Sequence, residues 1–317
     1  MTAYVPCKED VMQGRQVSSL RVCLCLALLY LSWGGSFLGI KLTLSGFPPV
    51  FQNGLRMCGA GCLMLAILPL TKHGKPKGPM EILHYVVLAF FIMFMNNTCQ
   101  AVGQQSVPSG ITALLYGAIP LFMVLGDWIV LRGPRPGKEQ AAAICGATLG
   151  MAMLTFAGDA QMRCPLPGVS VILLGVLCFV AGSLYAKRFL SASGMSLYGG
   201  MSLTMLFGGM MSLVASQVMG EKFEFSSLTA TSLGGMIFLT FFTSVLGYIC
   251  YYWLLKNTRT MVAVSFAYID PVIAVALGAL FGGEPLSFVV AVSCALIVGS
   301  VIVGLHAGRS DARRTAR

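Results

Sequence analysis

The sequence predicts an all-α polytopic membrane protein whose ten transmembrane helices form two inverted five-helix repeats. Three observations carry that expectation. The 317 residues are 56% hydrophobic and 10% charged, against roughly 25% charged residues in soluble domains. The apolar residues fall into ten blocks of about 20, the length that crosses a bilayer as a helix. Basic residues are distributed unevenly between alternate connecting segments.

The blocks lie near 22–42, 48–70, 82–103, 108–131, 138–157, 166–187, 195–217, 232–254, 259–281 and 286–306. In hydrocarbon every backbone N–H and C=O needs an internal partner, so each block must be helical. The stretch before the first block carries Lys8, Glu9, Asp10 and Arg15, too polar for a signal-peptide core. It reads as a cytoplasmic tail over 1–21. The repeats then occupy 22–158 and 159–306, and a basic cytoplasmic tail covers 307–317.

With the N-terminus inside, the inner segments hold Lys8, Arg15 and Arg21; Lys72, Lys75 and Lys77; Arg132, Arg135 and Lys138; Lys187 and Arg188; Lys256 and Arg259; and the arginines of the C-terminal tail. The outer side holds Lys41, Arg163 and Lys222. Placing basic loops in the cytoplasm puts both termini there, which requires an even number of spans. Trp128 and Trp253 fall at inner span ends, where aromatic belts sit, whereas Trp33 lies in mid-span. The net charge of +10 is therefore a topology signal, and no nucleic-acid partner is expected.

The two halves share landmarks. Pro120 and Pro134 align with Pro271 and Pro285 at one offset of 151 residues. Gly35-Ser36 followed by Lys41 matches Gly182-Ser183 followed by Lys187-Arg188. Five spans per half is an odd number, so the second half enters the membrane upside down. Inverted repeats are a common transporter design, in which two halves rock about a midplane site.

Trp33-Gly34-Gly35-Ser36-Phe37 with Lys41, Phe47-Pro48-Pro49 with Arg56, Val107-Pro108-Ser109-Gly110, and Phe266–Pro271 through Gly282-Gly283-Glu284-Pro285 together resemble the EamA-type drug/metabolite transporters over about 20–306. The similarity is greatest to bacterial inner-membrane members. It implies a multi-pass cell-membrane protein with a central cavity, exporting amino acids or related metabolites. It also implies that the fifth and tenth spans form any homodimer face. Two positions depart from the family pattern. Gly133 stands where a Glu matching Glu284 is common, and Asp270 stands where Asn is common.

Ionisable side chains inside spans are costly unless paired or facing a cavity. Asp270 reads either as a protonatable carboxylate coupling transport to protons or as an ionised strut between helices. Arg56 has a depth that would let it pair with Asp270, or it snorkels outward. Lys41 belongs at the outer surface, with recognition of substrate carboxylates as the alternative. Asn96, Gln100 and Gln104 recur every four residues and so share a helix face. They form either a wet cavity wall or polar glue between helices. Tyr30, Trp33 and Phe37 share a face of the first span. With Tyr116, Tyr248 and Tyr268 they could line an aromatic cavity, or simply pack. Pro120 and Pro271 each remove an N–H and displace the carbonyl four residues earlier, as hinges or packing kinks.

Other classes are poorly served. His73, His84 and His306 stand far apart, and no metal cluster, nucleophile–base set or phosphate-binding glycine loop occurs. No cofactor is expected. The 11 cysteines read as reduced packing residues, since most fall within spans. A phosphate- or nucleotide-sugar exchanger would need several cavity cations, and a receptor or lipid-handling protein is a further alternative.

Overall fold

A computed structural model describes residues 19–67, 76–132, 135, 137–156, 165–189, 194–257, 266–283 and 287–315. All secondary structure among them is helical. In chain order the helices are α1 (Ser19–Gly34), α2 (Ser36–Thr43), α3 (Pro49–Ile67), α4 (Pro79–Leu88), a π-helical segment (Ala89–Asn96), α5 (Asn97–Gly103), α6 (Ser109–Gly117), α7 (Ile119–Ile129) and α8 (Lys138–Phe156). There follow α9 (Leu166–Phe189), α10 (Leu197–Val218), a 3₁₀ turn (Phe225–Ser227), α11 (Ala230–Ile237), a second π-helical segment (Phe238–Leu246), α12 (Gly247–Asn257), α13 (Phe266–Phe281) and α14 (Phe288–Thr315). Seven continuous stretches are long and apolar enough to cross a membrane: Ser19–Thr43, Pro49–Ile67, Pro79–Gly103, Ser109–Gly126, Leu166–Ala186, Tyr198–Val218 and Ala230–Tyr251. Three shorter apolar helices, Ala141–Gly150, Ile269–Phe281 and Phe288–Ser300, coincide with the fifth, ninth and tenth expected blocks.

The molecule is apolar outside and polar inside. Leu24, Leu31, Leu174, Leu177, Met210, Val214, Phe241 and Phe242 are exposed, as side chains facing acyl chains should be. Asn53, Arg56, Asn96, Asn97, Gln100, Gln104, Ser244 and Asp270 are buried. Many buried hydroxyls satisfy themselves on their own helix: Ser32 donates to the Leu29 carbonyl, Ser36 to Trp33, Thr112 to Pro108 and Ser212 to Gly208. Such back-bonding removes the cost of burying them.

Helix packing between the halves is reciprocal. Helix α3 packs on α10, α6 on α13, and α8 on α14. Helix α1 packs on α13 and α12, while α9 packs on α7 and α5. Helix α3 also contacts the second π segment, as α10 contacts the first. Exchanging first-half for second-half helices therefore reproduces the contact pattern. The π segments themselves occupy matching positions in the two halves.

Small residues set the closest of these contacts. A Cβ on Gly209 of α10 would lie 2.6 Å from the backbone nitrogen of Cys58 on α3. One on Gly54 would come within 2.9 Å of the Leu213 nitrogen. Helices in lipid associate through such close packing, since apolar burial offers no drive between them.

Carboxylates tie the helix ends across the halves. Glu221, just beyond α10, accepts from the backbone N–H groups of Val50 (3.1 Å) and Phe51 (2.8 Å) at the start of α3, and from the Ser216 hydroxyl (2.7 Å). The Phe223 ring stacks on Phe47 and Phe51 beside it. Glu81 of α4 accepts from Lys77 N–H (2.6 Å) and from Gly194 N–H (2.8 Å), in the segment leading into α10. In each case an anion meets N–H groups that lack intrahelical partners.

Candidate functional site

The two π segments generate the polar interior. A π turn lengthens the hydrogen-bonded ring and leaves carbonyls exposed for other donors. In the first segment, the Ile92 carbonyl accepts from Asn97 Nδ2 at 2.8 Å, and the Met93 carbonyl from Asn53 Nδ2 at 3.0 Å. Asn53 Nδ2 also reaches the Ser212 hydroxyl at 2.9 Å, so α3, the π segment and α10 meet at one amide. Tyr116 donates to Asn96 Oδ1 at 2.8 Å.

In the second segment the Thr243 carbonyl accepts from Trp33 Nε1 at 3.3 Å, and the Thr243 hydroxyl donates to the Ser32 carbonyl at 2.9 Å. One residue on, Ser244 Oγ accepts from Arg56 Nε at 2.9 Å. Thus the second π segment is hydrogen-bonded to α1 and α3 of the other half, whereas the first is bonded within its own half and meets α9 and α10 by packing.

Trp33 is the centre of an aromatic cluster rather than an isolated wall residue. Its ring meets Tyr248 at 5.2 Å, Tyr251 at 5.2 Å and Phe266 at 4.6 Å between centroids. Tyr248 stands beside the Arg56 charge, and Phe266 lies one turn before Asp270 on the same face of α13. The cluster thus has one member, Tyr248, beside Arg56 and another, Phe266, one turn from Asp270. Phe37 is buried and packs edge-on against Tyr116 at 5.6 Å, and Tyr30 is half-buried.

Of the two readings of Arg56, pairing with Asp270 or snorkelling outward, the ion pair is not seen among the described residues. Arg56 is 4% exposed and satisfies Nε on Ser244; among the described residues no carboxylate pairs with it. Asp270 is 7% exposed, with Oδ1 buried and without a hydrogen-bond partner. Its backbone packs against α1: a Cβ on Gly34 would be 3.4 Å from Asp270 Cα. A shared depth permits pairing but does not fix which way two side chains face around the bundle.

Lys41 is likewise not simply a surface cation. Half-buried on α2, it donates to the Gln104 carbonyl at 2.9 Å, neutralising a carbonyl orphaned at the end of α5. Asn96, Gln100 and Gln104 are all buried, as one-face spacing required. The amide of Gln104 has neither hydrogen-bond partner, and Gln52 Nε2, Asn53 Oδ1 and Ser293 Oγ are also unpartnered. Buried polar atoms left without partners are costly.

The proline pair is asymmetric in local form. Pro120 opens α7 after a break at Ala118, where Pro at the first turn is well tolerated. Pro271 lies within the continuous helix α13 and faces Gly117, whose added Cβ would meet its ring at 3.1 Å. The side chains of Pro120, Tyr268, Asp127 and Lys187 lie outside the described residues, as do the Gly133-Pro134 and Glu284–Pro285 segments.

Asn53, Thr243, Ser244, Tyr251 and Phe266 were not anticipated as site residues. Asn53 had a legible signal, since it stands three residues before Arg56 on an apolar helix. The others depend on which carbonyls the π turns free. No group of metal-binding side chains occurs among the described residues.

The chain matches the EamA-like transporter family twice, over residues 20–156 and 166–305. It is 32% identical over 285 residues to a protein of Escherichia coli (strain K12) named as the uncharacterized inner membrane transporter YedA, covering 88% of each chain. It is 25% identical over 299 residues to a probable amino-acid metabolite efflux pump of Salmonella typhimurium, covering 92% of this chain and 96% of that one. A solved crystal structure at 17% identity shares the fold at a TM-score of 0.60, over 89% of this chain and 96% of its own.

Proposed function

Since the chain belongs to the EamA-like transporter family, we propose that it exports small metabolites, amino acids among them, by alternating access about its polar interior. It is a multi-pass membrane transporter of the drug/metabolite type. The reading adds ten spans in two inverted five-helix halves, with both termini cytoplasmic. The observation that carries it is reciprocal packing: the main inter-half contacts of one repeat have counterparts in the other, and the family match is duplicated along the same division. Two equivalent halves meeting across a polar, ionisable interior are what rocking between inward- and outward-open states requires. The curated efflux relative supports amino-acid metabolites as cargo.

Asp270 is the coupling group in this reading. A buried carboxyl with an unpartnered oxygen can take up a proton in one state and release it in the other. A helix carrying Pro271 and facing Gly117 is suited to bend as it does so.

The test is metabolite profiling of medium and cells with and without overexpression, followed by pH-jump efflux in vesicles. Accumulation of defined small metabolites outside is the expected result, and Asp270→Asn should remove its pH dependence. An unchanged medium would overturn the exporter reading; unchanged pH dependence would overturn the coupling role alone.

A further inference from the structure

We infer that Arg56 is an anion-binding subsite of the transport path, receiving the carboxylate of a cargo whose apolar body packs on the Trp33, Tyr248, Tyr251 and Phe266 rings. This rests on the transporter reading above and names the cargo's chemical class.

A guanidinium has five N–H donors and accepts nothing. In Arg56 one of them, on Nε, is used by Ser244, which fixes the plane of the group. Among the described residues no carboxylate or carbonyl takes the donors on Nη1 and Nη2. Asp270, a buried acid of the same bundle, does not do so: its Oδ1 has no hydrogen-bond partner. A cation buried at membrane depth without a counter-ion is expensive. Packing alone would be better served by Leu or Met at this position. A bound carboxylate supplies the missing partner, and the free fork matches it with two parallel hydrogen bonds.

The charge count restricts the anion. A phosphate ester carries close to two negative charges at neutral pH and would call for a second cation. At this point of the bundle Arg56 offers one positive charge, and its partner Ser244 adds none. A monocarboxylate balances it. The neighbouring surface then sets the remainder of the cargo: Tyr248 stands next to the guanidinium, and its ring leads onto Trp33 and Phe266. Such a wall suits an apolar or aromatic substituent.

The test uses proteoliposomes of the full chain, loaded with an equimolar mixture of amino and hydroxy acids and the carboxamide of each. Efflux is followed by mass spectrometry against protein-free liposomes. Wild type should release acids in preference to their amides, with apolar and aromatic acids foremost. Arg56→Gln should lower that acid-over-amide preference by about ten-fold or more, the loss of a charge-assisted hydrogen bond. Arg56→Lys, keeping the charge without the fork, should restore part of it, and its recovery would show that the fold tolerates change here. An undiminished preference in Arg56→Gln overturns the subsite while leaving the transporter intact. Equal release of acids and amides by wild type does the same. Release of neither by wild type would remove the exporter reading, and the subsite with it.

Discussion

Arg56 donates its Nε to the Ser244 hydroxyl at 2.9 Å, and the guanidinium held in this way makes no ion pair with Asp270. Two buried charges of opposite sign are thus left unpaired with each other. An ion pair would have locked α3 to α13 and suited a static bundle. Separation leaves each charge to act on something that is not part of the chain.

Separate charges should behave independently. In a double-mutant cycle of Arg56→Gln and Asp270→Asn, thermal stabilities of the purified protein should add to within about 0.5 kcal/mol, as for sites without shared partners. A coupling above about 1 kcal/mol would restore the pair.

Ser244→Ala removes the acceptor that orients the buried guanidinium. The expected cost is about 1.5–3 kcal/mol, the range for hydrogen bonds to charged groups, read as a lower melting temperature in detergent. Ser244→Thr keeps the hydroxyl and should recover most of the loss. Equal destabilisation by both would point to packing rather than to the hydrogen bond.

Glu221 anchors the loop after α10 to the first turn of α3 through Val50 and Phe51 N–H. Glu221→Ala should destabilise by about 1–2 kcal/mol, the scale of a lost N-terminal cap. Limited proteolysis should then cut within 219–228 faster than in wild type. Unchanged cleavage would mean that the Phe223 stack on Phe47 and Phe51 holds the loop without it.

Gly209→Ala tests the α3–α10 contact. The new methyl would sit 2.6 Å from both the backbone nitrogen and the Sγ of Cys58, and a backbone atom cannot rotate aside. Overpacking of this kind costs about 1–3 kcal/mol, so the melting temperature should fall. Gly234→Ala, with open space around its Cβ, should leave it nearly unchanged. A tolerant Gly209 would indicate that the two helices slide apart easily.

Much of the molecule was legible because hydrocarbon is a demanding solvent. Apolar blocks of spanning length must be helices, so seven stretches appear where expected, and three shorter apolar helices match further blocks. Burial of Asn96, Gln100 and Gln104 also followed from a spacing of four. Contacts between helices are not written in local periodicity. Depth alone leaves Arg56 free to pair with Asp270 or to turn away, because it says nothing about azimuth around the bundle. The bond of Lys41 to the Gln104 carbonyl likewise depends on where α5 ends in space, which sequence position does not reveal.

The sequence by itself determined that this chain lives in a membrane, is helical throughout its apolar blocks, and repeats its landmarks once. Those properties follow from composition and order, which are local. Only the tertiary structure decided which buried polar groups meet: π turns in Ala89–Asn96 and Phe238–Leu246 free carbonyls that recruit Asn53, Asn97 and Trp33. Arg56 is bonded to Ser244 and not to Asp270. Hydrogen bonds at that depth are settled by which helices face each other, a property of the packed whole that no segment carries alone.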